Sequence, residues 1–148
     1  SSTYGKAFEK FAQSWGGEVY VKPLFFTLGI DKHYDKSKKG LVYSDTVDLV
    51  PSVINLDNKI QFQKQEEEWL TFNAYTISSS DNYKIVNTTK DTAALMVTFE
   101  RPFNAAVVHN LTFWANGKKI RNFEFEKPFT IDEDFLPEDS VEIKVTYT

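Results

Sequence analysis

The sequence predicts an all-β fold: a β-sandwich, Ig-like or jelly-roll, of about eight to ten short strands with a short N-terminal amphipathic helix ahead of it. Three observations carry that prediction. Asn116-Gly117 sits between two alternating runs, Val107 to Ala115 and Lys118 to Phe125, and Asn-Gly takes the positive φ angles of a two-residue type I′ turn. At the C-terminus Val141, Ile143, Val145 and Tyr147 alternate with Glu142, Lys144 and Thr146, the cleanest period of two in the chain. The composition is aromatic-rich, with 13 Phe, 7 Tyr and 3 Trp against only 6 Gly and 5 Pro, which suits packed strands.

In chain order, Ser2 or Thr3 caps a helix in which Tyr4, Ala7, Phe8, Phe11, Ala12 and Trp15 share a face, and Gly16-Gly17 stops it. This helix packs on its own domain or docks on a partner. Residues 1–17 are therefore an N-terminal helical arm, and 18–148 a single sandwich domain. Glu18 to Ile30 reads as a strand with a break at Pro23. Asp31 to Gly40, DKHYDKSKKG, reads as an exposed lysine-rich loop, either a solvated face or a patch for acidic surfaces.

Leu41 to Val50 is a strand, and Val53 to Gln63 holds Ile54, Leu56, Ile60 and Phe62 around an expected Asp57-Asn58 turn. Glu66, Glu67 and Glu68 mark a break. Trp69 to Ile77 alternates as a strand, Ser78 to Asn82 reads as a loop, and Tyr83 to Val86 as a short strand. Ala93 to Phe99 leads into the Asn-Gly hairpin. In that hairpin Val107, His109, Leu111, Phe113 and Ala115 share one face, and Val108, Asn110, Thr112 and Trp114 the other. A brief strand at Phe129 to Ile131, an acidic connection from Asp132 to Ser140 and the final strand complete the chain.

Chemistry is scarce. The chain of 148 residues has no cysteine, which removes thiolate catalysis, disulfides and Cys-based zinc sites together. A formal charge of −4 argues against a general nucleic-acid binder. No apolar run reaches the ~18 to 20 residues of a membrane-spanning helix. His33 and His109, the two histidines, have no spacing that suggests a shared metal, and His109 reads as a satisfied core histidine. No serine lies in a nucleophile elbow and no glycine-rich loop cradles phosphate. The expectation is a non-enzymatic protein without cofactor or metal.

Three weaker patterns stand beside that expectation. Asp132, Asp134 and Asp139 lie in a carboxylate-rich stretch whose oxygens suit calcium, although the spacing fits no EF-hand and acidic turns are common. Trp69, Tyr75 and Trp114 can form a stacking platform for sugars or simply seal the sandwich. Asn87-Thr88-Thr89 and Asn110-Leu111-Thr112 match the glycosylation pattern, which short sequences meet by chance.

The run VTFERPFNAAVVHNLTFWANGKKIRNFEFEKPFTIDEDFLPEDSVEIKVTYT, Val97 to Thr148, resembles the end of small β-sandwich structural proteins of tailed bacteriophages, tail-fibre-like or virion-associated. The shared pattern is a strand ending in Phe-x-x-Pro, a hairpin, a Pro-Phe-Thr-Ile strand start, an acidic turn and a last alternating strand. The resemblance implies a virion subunit, made in the host cytoplasm, that assembles with copies of itself and other virion proteins in a tail, baseplate, connector or capsid decoration. Under it, Tyr4, Phe8, Phe11 and Trp15 are the expected docking anchors. The rival expectation is a carbohydrate-binding module or adhesin domain that uses Trp69, Tyr75 and Trp114 on a host-surface glycan.

Overall fold

A computed structural model describes residues 22–67, 70–102 and 107–148. Nine strands follow in order: β1 Phe25–Asp35, β2 Gly40–Leu49, β3 Val53–Glu67, β4 Leu70–Val86, β5 Ala93–Thr98, β6 Thr112–Ala115, β7 Lys118–Ile120, β8 Phe129–Phe135 and β9 Ser140–Tyr147. They form two antiparallel sheets, β2-β1-β5-β8 and β3-β4-β9-β6-β7. No helix occurs among the described residues. The expected N-terminal helix, with Tyr4, Phe8, Phe11 and Trp15, lies outside them.

The sheets pack face to face around one core, a sandwich-like arrangement. β1 lies over β4, where Phe26 meets Tyr83 edge-on at 5.3 Å and the Leu24 N–H donates to Tyr83 Oη at 3.3 Å. The end of β5 lies over β9, where Phe99 meets Tyr147 at 5.2 Å, and β8 lies over β6, where Phe129 meets Phe113 at 5.0 Å. Phe113 is fully buried, with Phe99, Phe123 and Phe129 edge-on around it. Edge-to-face pairing brings the positive ring edge against a neighbour's negative face. The predicted alternation of β9 holds: Val141, Ile143, Val145 and Tyr147 point into the core while Glu142 and Lys144 face water.

Several boundaries differ from the sequence reading. The Asn116-Gly117 turn forms with φ of 49° and 81°, but its strands span only Thr112–Ala115 and Lys118–Ile120. Asn110 takes a φ of 56°, which interrupts the incoming strand. His109 lies at the surface instead of in the core, held by a backbone pair with Thr148 in which each N–H donates to the other's carbonyl, at 2.8 and 3.0 Å.

No turn forms at Asp57-Asn58, because β3 runs unbroken from Val53 through Gln63 to Glu67. The expected Ser78 to Asn82 loop is part of β4 instead. Its polar residues are kept in the ladder by partners on both sides: Ser80 opposite Asp57 and Thr146, Asn82 opposite Asn55 and Lys144. Likewise Asp31 to Asp35 belongs to β1, leaving a short turn at 36–39, and Asp132 to Phe135 extends β8.

One polar corner closes the end of the sandwich. Asn87 is fully buried, and its side-chain N–H groups donate to the carbonyls of Asp91 and Phe135, both at 2.9 Å. Its Oδ1 accepts from the Thr89 N–H at 2.9 Å and the Thr89 hydroxyl at 2.7 Å. Its backbone completes the lock, donating to Asp139 and accepting from Glu138. The first glycosylation match is thus a structural hub with no room for a glycan.

Candidate functional site

Strand register defines the most distinctive feature, two hairpin arms. β1 pairs with β5 only from Phe25 to Gly29, whereas its pairing with β2 continues to Asp35 opposite Gly40. β4 pairs with β9 only from Ser79 to Val86, whereas its pairing with β3 reaches back to Leu70 opposite Glu67. Nine residues of β4, 70–78, therefore have β3 as their one strand partner among the described residues, an extension of about 30 Å at ~3.3 Å per residue.

The arms leave from opposite ends of the sandwich. The β1–β2 arm departs beyond Gly29, opposite Ala94 at the start of β5. That end also holds Phe135, Asn87 and the start of β9, joined through the Asn87 corner. The β3–β4 arm departs beyond Ser79, opposite Tyr147 at the finish of β9, the far end of that strand.

Local chemistry shapes the tip of the β1–β2 arm. The Asp35 carboxylate accepts from the Ser37 N–H at 2.8 Å and the Ser37 hydroxyl at 2.6 Å, and these bonds hold its pKa below the usual carboxylate value. The turn then presents Lys36, Lys38 and Lys39 to water. Just below it Tyr34 and Leu41 face each other across the strands, 60% and 62% exposed. Farther down, His33 Nδ1 lies 3.2 Å from Ser44 Oγ, which donates to Asp31 at 3.1 Å. His33 and His109 belong to opposite ends of the molecule, so they cannot share an ion.

At its base this arm is braced by glycine. A Cβ on Gly29 would meet the Tyr43 ring at 2.7 Å, so the ring lies directly on the bare backbone.

The root of the β3–β4 arm is polar and half enclosed. A cleft of about 310 Å³ there is lined by Asp57, Lys59, Ser79, Asn110, Tyr147 and Thr148, among others. Behind it Asp81 is buried, accepting a 3.2 Å bond from the Asp57 N–H. Burial, followed by the nearby Asp57 charge, pushes the Asp81 carboxyl up to about 7 against that bond. The Ser79 hydroxyl donates to Asn58 Oδ1. Burial also pushes the Tyr147 phenol up to about 12; its hydroxyl lies near Ser79 but outside hydrogen-bonding geometry. This cluster could not be read from sequence, because Ser78 to Asn82 has the composition of a loop.

The third surface is the outer face of the larger sheet. Trp114 is half-buried there, with Lys144 Nζ 5.4 Å from its ring centre, beside a cleft of about 340 Å³ that Asn82, Gly117 and Glu142 also line. Of the other expected platform residues, Trp69 lies outside the described residues and Tyr75 is placed by its backbone pairing with Phe62 on the arm. Asp132, Asp134 and Asp139 are not gathered into a site: Asp132 accepts the Asp134 N–H at 2.9 Å and Asp139 lies in the following turn. Among the described residues no three His, Cys, Asp or Glu side chains converge as metal ligands.

Fold and site together define a class: among the described residues, an all-β body of two facing antiparallel sheets, extended by a β-hairpin arm at each end. Comparisons with protein-family models, with curated proteins and with solved structures found no match.

Proposed function

We propose that this chain is a non-enzymatic structural subunit that self-assembles through its two arms, as a phage-like tail, baseplate, connector or capsid-decoration protein does. The observation that supports the reading is the pair of long hairpins reaching away from opposite ends of one small sandwich. An isolated two-stranded ribbon gains little stability in water. Such ribbons also expose apolar residues: Tyr34 and Leu41 on one arm, and Phe62, 55% exposed, on the other. Among the described residues β3 is moreover a 15-residue sheet edge, with β4 as its one strand neighbour, and such an edge is a template for a further strand. A neighbouring copy would cover all three features. The reading does not depend on whether the sandwich is Ig-like or jelly-roll.

Under this proposal the partners are copies of the chain and other virion proteins, and the location is the virion. The test shortens the β3–β4 arm by replacing residues 60–77 with Asn-Gly, which joins Lys59 to Ser78, already opposite each other. Light scattering is expected to give a defined oligomer for the full chain and a folded monomer for the shortened one. A full chain that stays monomeric, or a shortened chain that assembles unchanged, refutes the proposal. Deleting residues 1–17 in parallel asks whether Tyr4, Phe8, Phe11 and Trp15 contribute.

A second reading rests on Trp114. Its ring on the outer face, beside Asn82, Glu142 and Lys144, has the mix of stacking surface and hydrogen-bonding groups that binds sugars. Specific binding on a glycan array that disappears in Trp114→Ala would favour a carbohydrate-binding module; silence across the array excludes this reading for the glycans tested.

A further inference from the structure

We infer that copies of this chain join head to tail, the basic tip of the β1–β2 arm of one copy docking against the acidic end of the β3–β4 arm of the next. The inference rests on the assembly reading and adds its polarity and its chemistry. The first arm holds Lys32, Lys36, Lys38 and Lys39 between Asp31 and Gly40, against two aspartates. Of these lysines, Lys32 lies 3.9 Å from Glu133, leaving the three turn lysines as the exposed charge. Asp35, the nearest carboxylate, is already engaged by Ser37.

The second arm ends in the opposite sign. Register places Glu66 opposite Thr71 and Glu67 opposite Leu70, the last pairs of the hairpin. Because the arms leave from opposite ends, the two charges on one molecule cannot neutralise each other. Each can meet the other's charge on a second copy. Complementary charge steers encounter and fixes register, while apolar groups beside it supply the adhesion. Such groups lie next to the lysines, as Tyr34 and Leu41, and along the acidic arm, as Phe62.

A contact between unlike ends is heterologous, so it closes into a ring or continues as a filament, according to the rotation per subunit. The basic tip alone would suit any polyanion. An acidic complement at the far end of the same chain makes a second copy the occupant the observations favour.

The experiment reverses each tip separately in the full chain. One variant carries Lys36→Glu, Lys38→Glu and Lys39→Glu; the other carries Glu66→Lys and Glu67→Lys. Mass is read by light scattering at about 50 mM and about 500 mM salt, conditions that span weak to strong screening. Circular dichroism checks that each variant is folded. Each variant alone is expected to fall to monomer, with association weakened about tenfold or more. An equimolar mixture should regain the wild-type mass, since its reversed tips are complementary, and wild-type assemblies should dissociate in high salt. The inference is overturned if either variant alone keeps the wild-type mass, or if the mixture stays monomeric. A mixture that stays monomeric while the lysine variant also loses binding to heparin would assign the basic tip to a polyanion instead. The shortened-arm chain separates the two levels. If it is monomeric while the reversed variants assemble normally, this inference falls and the assembly reading stands; if it assembles unchanged, both fall.

Discussion

Replacing Asp81 with Asn tests whether the polar root of the β3–β4 arm is built around a carboxyl that the fold prefers to keep neutral. Burial and the Asp57 charge raise its pKa from 3.8 to about 7. The folded protein then binds this proton more tightly than the unfolded chain does. Stability from this group is greatest below about pH 4, declines as pH rises through the window to about 7, and is level above it. At about 1.4 kcal/mol per pKa unit the full excursion is about 4 kcal/mol, and water in the adjoining cleft lowers the expected value to about 2 to 4. Asn keeps an oxygen for the Asp57 N–H, now 3.2 Å from the carboxylate, and cannot ionise. Asp81→Asn should therefore match the wild type within about 1 kcal/mol at about pH 4 and exceed it by about 2 to 4 kcal/mol at about pH 8. Urea unfolding of both proteins across that range measures the difference, in which the other titrating groups largely cancel. A difference that stays constant with pH would refute the reasoning.

Four further outcomes are expected. Tyr147→Phe removes a buried hydroxyl that makes no hydrogen bond of normal geometry, so unfolding should shift by less than about 1 kcal/mol, in contrast to the loss from truncating a satisfied group. Phe113→Ala opens a cavity among three rings and should cost about 3 to 5 kcal/mol in the same assay. Asn87→Ala removes the side-chain donor to the Phe135 carbonyl and the acceptor of the Thr89 N–H, and leaves the Asp91 carbonyl with the Thr89 hydroxyl alone, and should cost about 2 to 4 kcal/mol. Gly29→Ala would place its Cβ 2.7 Å from the Tyr43 ring and force the ring away, for about 1 to 3 kcal/mol in urea unfolding. An unchanged midpoint would show that the ring moves aside freely.

The local code of the chain determines a good part of this structure. Alternation in Val141 to Tyr147, the run Ala93 to Phe99 and the Asn116-Gly117 pair each locate a strand or turn correctly, because side-chain period and positive φ are properties of a few neighbouring residues. Two antiparallel sheets follow from many such segments.

The long strands were a tertiary decision. Ser78 to Asn82 has loop chemistry, and it is extended because β3 pairs with all of it, β9 pairs with Ser79 to Asn82 from the other side, and neighbours satisfy Ser79 and Asp81. Asp57-Asn58 looks like a turn and is straight because β4 pairs with it, its partners Ser80 and Ser79 being supplied more than twenty residues away. The arms are invisible in one dimension: an arm is a strand that outruns one neighbour while keeping the other, a relation between registers that no local window contains. Sequence supplies the lysines of one tip and the glutamates of the other; only the register of β1 on β5 and of β4 on β9 sends them to opposite ends.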